Sequence, residues 1–316
     1  LFALFFGRVF CASVCPLGAI QELVAIRPIR ISTSLERALG LGKYIYLGLA
    51  ILGVATGAGF LVCRYDPFVG LYRMGHSFGM MMAGALMLGI GVFVARPYCR
   101  FLCPYGVLLG WMSKFSKWHL DIPPKPCVSC RLCEESCPYN AIEMPTPEVS
   151  LDDQAVGVKR IRKYVFLAPA IILIGAMTGV AMHGVLARLH PTVSLSERIA
   201  AEEAGLVAEE SLESESFRKG GQTTDQLHAE AAAARSSFKT GSAWFGAFIG
   251  LIVSLKLISL SVHQKRKVYT PNKEMCFSCG RCYPYCPVED EGEGAPAVRP
   301  VAGPSPAGSA AKTPTG

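Results

Sequence analysis

Charge is scarce in this sequence. Only 17% of its 316 residues are Asp, Glu, Lys or Arg, while 51% are hydrophobic. That balance excludes an ordinary soluble domain and points to an integral membrane protein. The residual net charge of +7 needs no nucleic acid, because basic residues flanking membrane helices on one side give the same figure. C-x-x-C-H is missing, so no c-type haem is signalled. A phosphate-cradling loop is also missing: "ATGAG" at 55–59 falls inside an apolar span, where glycine serves packing. No Ser/His/Asp arrangement can be read, and no catalytic residue is proposed. The chain opens on Leu instead of Met, and "LFALFFGRVF" reads like the last turns of a membrane helix, not a signal peptide. Residues upstream of Leu1 are therefore expected.

Long apolar runs are what the sequence has in abundance. Four of them, 44–62, 77–95, 164–185 and 243–262, approach the roughly 20 residues that a helix needs to cross a hydrocarbon core. Residues 1–7 end a further, partial span. Lys256 lies near one end of its span and can snorkel to the headgroups. Lys and Arg collect in alternate loops: Arg27, Arg30, Arg37, Lys43, Lys114, Lys117, Lys125, "KRIRK" at 159–163 and "KRK" at 265–267 on one side. The other side receives Arg64, Arg73 and the loop 186–242, where nine acidic residues outnumber six basic ones. The basic side is expected to be cytoplasmic, in a bacterial inner membrane. Within that loop "SERIAAEEAGLVAEESLESESF" has the pattern of an amphipathic helix, broken by Gly220-Gly221. It is either a solvated helical hairpin or a docking surface for a periplasmic partner.

Thirteen cysteines follow a pattern. "CVSCRLCEESCP" (Cys127, Cys130, Cys133, Cys137) and "CFSCGRCYPYCP" (Cys276, Cys279, Cys282, Cys286) both have the spacing C-x2-C-x2-C-x3-C-P. Three closely spaced thiolates wrap one iron–sulfur cubane, and the fourth, before Pro, ligates the other cluster in two-cluster ferredoxins. Cys127, Cys130 and Cys133 are thus expected to pair with Cys286, and Cys276, Cys279 and Cys282 with Cys137, giving two [4Fe–4S] clusters. Zinc seldom takes two such runs. All eight cysteines fall on the expected cytoplasmic side.

An internal repeat holds four more. "GRVFCASVCPLGAIQEL" and "ARPYCRFLCPYGVLLGW" each run Arg, aromatic, C-x3-C-P, then an apolar stretch. Cys11, Cys15, Cys99 and Cys103 could ligate a third iron–sulfur cluster, act as redox thiols, or be structural. Cys63 stands apart as a packed thiol. His76, His183 and His190 near the outer ends of spans are either interfacial residues or axial haem ligands; His119 and His263 carry no clear signal.

The expected fold is mainly α: a polytopic helix bundle of four full spans and an N-terminal partial one, with a two-cluster ferredoxin-like head assembled from separated segments. Its regions are a membrane part with both repeats (1–126), the first ferredoxin-like segment (127–163), a transmembrane hairpin (164–262) containing the acidic loop, the second segment (263–290) and a disordered Pro/Gly/Ala/Ser-rich tail (291–316).

The two C-x3-C-P repeats and the two ferredoxin runs together resemble the membrane-bound polyferredoxins of the NosR and NapH type, over roughly residues 1–290. That resemblance implies electron transfer between a cytoplasmic or quinone-side donor and a periplasmic acceptor, as a subunit of a membrane redox complex. Members of the NosR type carry a periplasmic flavin-binding domain ahead of the membrane region; here it lies before residue 1, in a separate subunit, or is lacking. The expected partners are lipid, quinone and a periplasmic flavin- or haem-containing protein. A redox-active maturation factor for a respiratory metalloenzyme is the alternative, and a redox sensor ranks last because no output domain is evident.

Overall fold

The computed structural model describes residues 2–26, 28–73, 78–118, 120, 129–146, 151–207, 211–262, 266 and 268–286. Cys127, His76, His119, His263 and the tail 291–316 lie outside them. The described chain is mainly helical, with one two-stranded ladder. Three stretches are long and apolar enough to cross a membrane: Thr33–Ala55, Val156–Ala181 and Thr224–Ser261. The apolar helix Phe78–Gly91 has 14 residues and rises about 21 Å, short of a hydrocarbon core of about 30 Å.

The span expected at 44–62 starts and stops earlier. Its helix ends at Ala55, and Gly57 and Gly59 take φ of +78° and +84° with open space around them. Those glycines make a turn and pack against nothing, because only glycine adopts such a backbone without strain. The chain then folds back. Pro67 starts the helix Pro67–Arg73, and the Asp66 carboxylate accepts the N–H groups of Phe68 and Val69 at 2.9 and 3.3 Å, an N-cap arrangement. Phe68 is fully buried against Cys11, Tyr98 and Cys99. The stretch expected to be a short outer turn is thus part of the core beneath the cysteine repeats.

Two long helices form a hairpin, Leu151–Ala181 as its first arm and Thr224–Ser261 as its second. Glycine lets them touch. A Cβ on Gly246 would stand 2.0 Å from the Gly175 carbonyl oxygen, and one on Gly179 would stand 2.0 Å from that of Ser242. Close backbone approach at small residues is the usual route to helix association where apolar surface faces lipid anyway. The first arm leaves Phe166, Leu173 and Met177 exposed on its outer face, as lipid contact requires.

The second arm overshoots its apolar span. It begins at a capping box between Thr223 and Gln226, so its first turns belong to the acidic loop. There it packs with Pro191–Glu203 around Leu186, Val193, Ala231 and Phe238. The expected single amphipathic helix is two, Pro191–Glu203 and Leu212–Lys219, with Gly205 at φ +70° between them and Gly220-Gly221 ending the second. Two of its acids are held in ion pairs: Glu197 with Arg188 and Arg235 at 3.1 Å each, and Glu202 with Arg198 and Arg218.

At the opposite end the hairpin is closed by an antiparallel ladder, with Ile142 opposite Pro271 and Glu143 opposite Thr270. Thr146 and Arg266 exchange two more bonds: Thr146 N–H donates to the Arg266 carbonyl at 3.0 Å, and Arg266 N–H to Thr146 Oγ1 at 2.8 Å. The two ferredoxin-like segments are carried to one place by this base.

Gly246→Ile should drive the arms apart at a cost of about 1–3 kcal/mol or more, the range for overpacking. Thermal unfolding should detect the loss, while Gly184→Ala, at a site with open space, should leave the melting temperature near wild type.

Candidate metal centre

The two ferredoxin-like segments share one backbone path. Ser129 and Ser278 both take φ of +53°, and Arg131 and Gly280 take +67° and +73°. Each pair brackets the second cysteine of its run, Cys130 or Cys279. Such alternation turns successive N–H groups inward and makes a concavity for anions. One of these bonds is formed: Ser278 N–H donates to Cys276 Sγ at 3.3 Å. Cys137 and Cys286 both have extended backbone, ψ 109° and 119°, because the proline that follows disfavours a helical conformation.

Cys137 lies with the second run. A pocket open at its mouth is lined by Cys137, Cys276, Cys279 and Cys282 together with Tyr139 and Phe277. Burial pushes the Cys282 thiol up to about 12, and the neighbouring Cys276, Cys137 and Cys279 add to the shift. Cys276 is raised in the same way, by burial first and then by Cys137 and Cys279, against the bond from Ser278. Of the other expected set, Cys130 is exposed, Cys133 buried and Cys286 half-buried; the helix Leu132–Ser136 that carries Cys133 packs on the turn Tyr283–Tyr285 that leads to Cys286. Among the described residues no three His, Cys, Asp or Glu side chains stand close enough to hold a single ion.

The C-x3-C-P cysteines form a second group, built with pseudo-symmetry. Val14 and Cys15 N–H both donate to the Phe10 carbonyl, and Leu102 and Cys103 N–H both donate to that of Tyr98. Cys15 and Cys103 each precede a helix, Pro16–Val24 and Pro104–Ser113, with Pro at its first position. Gly18 presses on the Cys11 carbonyl so closely that no side chain fits there, and Gly106 packs more loosely on that of Cys99, where a Cβ would stand 3.2 Å away. Burial pushes the Cys99 thiol up to about 12 and Cys103 up to about 11. The groups aimed at them oppose this: Gln21 Nε2 donates to Cys99 Sγ at 3.3 Å, and the backbone N–H groups of Gly106 and Tyr105 face Cys103. Cys63, expected to be a packed thiol, is instead exposed.

Two buried guanidiniums cross between the repeats. Arg96 of the second repeat donates to the Cys11 carbonyl of the first at 2.9 Å, and Arg8 of the first sits against Gly106 of the second. Both lie over the ring of Phe277, at 4.3 Å for Arg8 and 5.2 Å for Arg96. Arg96 is neutralised by Glu22 at 2.8 Å. Arg8, only 3% exposed, donates to the Glu274 carbonyl, and its Nε has no hydrogen-bond partner among the described residues. A buried charge without a counter-charge is costly; four thiolates around a cluster would supply one. The donors present therefore fit a thiolate-bound anionic group between Cys11, Cys15, Cys99 and Cys103.

Phe277 and Tyr139, with ring centroids 4.9 Å apart, stand between the two cysteine groups. The Tyr139 hydroxyl donates to Glu22 at 2.7 Å, and Arg281 of the second run pairs with the same carboxylate. Burial works to raise Glu22, but Tyr139, Arg96 and Arg281 outweigh it and hold the carboxyl below its ordinary value. The histidines take local roles: His190 Nδ1 caps Pro191–Glu203 by accepting from Thr192 N–H at 3.2 Å, and His183 bonds the Val180 carbonyl.

Two models of a 4Fe–4S binding domain match the chain, one over residues 1–34 and 76–123, which contain the C-x3-C-P repeats, the other over residues 121–143. Protein NirI of Paracoccus denitrificans is 31% identical over 154 residues, 44% of this chain and 22% of that protein. The regulatory protein NosR of Stutzerimonas stutzeri is 29% identical over 153 residues, covering 44% and 21%. The ferredoxin-type protein NapH of Haemophilus influenzae is 28% identical over 144 residues, covering 43% and 50%. The chain is related to the membrane-bound polyferredoxins of the NosR and NapH type. It spans half or less of the length of these three relatives. No solved structure matches it. With its apolar helices, this 4Fe–4S protein is a membrane protein.

Glu22→Gln should lower stability by about 1–3 kcal/mol at neutral pH, the cost of leaving buried donors poorly paired. A carboxyl held low stabilises the fold above the unfolded value of about 4.3, and that contribution is lost as pH falls through the folded value. The gap between wild type and variant, read from thermal melts, should close on acidification.

Proposed function

We propose that this chain is a membrane-bound iron–sulfur electron-transfer subunit, linking a donor on its basic, cytoplasmic face or in the quinone pool to partner redox proteins. The observation that carries the reading is the meeting of Cys137 with Cys276, Cys279 and Cys282 around one cavity. In this assignment Cys127, Cys130, Cys133 and Cys286 hold the companion [4Fe–4S] cluster, and Cys11, Cys15, Cys99 and Cys103 hold a third. Such clusters, when bound, supply one-electron carriers whose potentials answer to hydrogen bonds at sulfur and to solvent access.

The chain's own residues do the rest. Ser278 N–H, Gln21 and the N–H groups of Gly106 and Tyr105 direct donors at sulfur. Arg8 and Arg96 place two positive charges beside the C-x3-C-P set, and Phe277 and Tyr139 exclude water from the space between the cysteine groups. Reactive thiols need an accessible thiolate, whereas burial raises Cys99 and Cys103 well above the ordinary thiol range. Metal ligation is therefore favoured over thiol redox, and electron transfer over the maturation reading. A hydrocarbon core of about 30 Å is too wide for one efficient electron hop, so a further cofactor, flavin or haem, is required for any route to the outer face.

Anaerobically purified protein should contain about twelve irons and as many sulfides, three cubanes. Cys130→Ala should remove one reduced-cluster signal in low-temperature EPR, and Arg8→Gln should lower iron by about a third with the other signals kept. Two thirds of that iron in wild type would leave the C-x3-C-P cysteines without a cluster.

A further inference from the structure

A group of cations away from the cysteines is not used by the electron-transfer reading. We infer that Lys43, Lys114 and Lys256 form a binding site for the phosphate headgroup of an anionic phospholipid. They come from three different helices. Lys43 is in the first turn of Gly42–Ala55, Lys114 ends Pro104–Ser113, and Lys256 is near the end of the second hairpin arm. The buried Tyr44 is the common neighbour of Lys43 and Lys256. The Lys43 and Lys256 ammonium groups lie 5.3 and 5.2 Å from its ring centroid, and the Trp111 ring packs on it at 6.2 Å.

The charges here do not balance. The carboxylate that all three lysines feel is Glu274. It is already engaged, by Lys114 at 2.9 Å and by the Tyr44 hydroxyl at 3.1 Å. Lys43 and Lys256 form no ion pair among the described residues, and Arg37 adds a further positive charge near Lys256. Among the described residues, three ammonium groups against one carboxylate leave two positive charges in excess. Lys256 also lies over Gly40, at the carboxyl end of the helix Thr33–Leu39. That helix end offers only about half a negative charge and does not restore balance. Snorkelling alone explains a single lysine at a span end, not two ammonium groups converging on one ring.

The anion comes from the membrane. Lys43 opens the apolar helix Gly42–Ala55 and Lys256 lies near the end of the membrane-crossing helix Thr224–Ser261, and basic pockets between such helices take lipid headgroups. Beside this site Leu108, Trp111 and Phe115 are exposed in a row, an apolar shelf along which acyl chains can lie.

The test uses the full chain with Trp118→Phe and Trp244→Phe, leaving Trp111 as the sole tryptophan. It is reconstituted in phosphatidylcholine vesicles containing increasing brominated phosphatidylglycerol or brominated phosphatidylcholine, and Trp111 quenching is read. Half-quenching is expected at a several-fold lower fraction of the anionic lipid, with the ratio returning to unity in Lys43→Gln/Lys256→Gln. Equal quenching by the two lipids in the unsubstituted site would overturn the inference, and that comparison needs no lysine variant to fold. A preference that survives the double substitution would also overturn it. So would one abolished by excess inorganic phosphate, which would make the ligand a soluble anion.

Discussion

Residues 139 positions apart in the chain, Cys137 and Cys276, share a cavity only if everything between them returns to its starting point. For a flexible loop of that length the closure entropy is about 4 kcal/mol beyond a constant. Here the return is made by two rigid arms packed backbone to backbone at Gly175, Gly179, Gly246 and Gly250. The ladder Ile142–Pro271 and Glu143–Thr270 fixes their register at the base. Lipid-facing helices gain little from the hydrophobic effect, so the close glycine contact carries the assembly. The ferredoxin-like sites are thus only as well formed as the hairpin beneath them.

From this base a chain of contacts runs into the membrane part. Glu274, two residues before Cys276, binds Lys114 and Tyr44, and its carbonyl accepts from Arg8. Arg8 and Arg96 join Phe277 to the C-x3-C-P cysteines, while Glu22 gathers Arg96, Arg281 and Tyr139. Ion pairs in such a place are weak evidence for stability, because desolvation offsets the attraction. Their value is positional: they lock the head onto the repeats in one arrangement and hold positive charge beside the buried cysteines.

Much of this was legible in the sequence. The cysteine spacings marked both runs, and the structure brings Cys137 to the second one. The hairpin was legible from hydropathy, and the helix break at Gly220-Gly221 from glycine. The turn at Gly57 and Gly59 was not, since glycine in an apolar run means packing as readily as a bend. Nothing local says that Phe68 turns inward to pack on Tyr98. Gln21 and Glu22 stand out only as two polar residues in an apolar stretch. Their partners, Cys99, Arg96 and Arg281, come from elements far away in sequence, and pairings of that kind are set by tertiary packing alone. Lys256 looked like a snorkelling anchor for the same reason; Tyr44, which it meets, is on another helix.

The central claim is that the two cysteine runs exchange their fourth ligand, so that Cys137 serves the cluster of the second run. Low-temperature EPR of the reduced protein tests it through three single substitutions, Cys137→Ser, Cys276→Ser and Cys130→Ser. The account predicts that Cys137→Ser perturbs the same signal as Cys276→Ser and leaves intact the one altered by Cys130→Ser. If Cys137→Ser and Cys130→Ser instead altered one signal together, each run would hold its own cluster, and the account of the joined head would be contradicted.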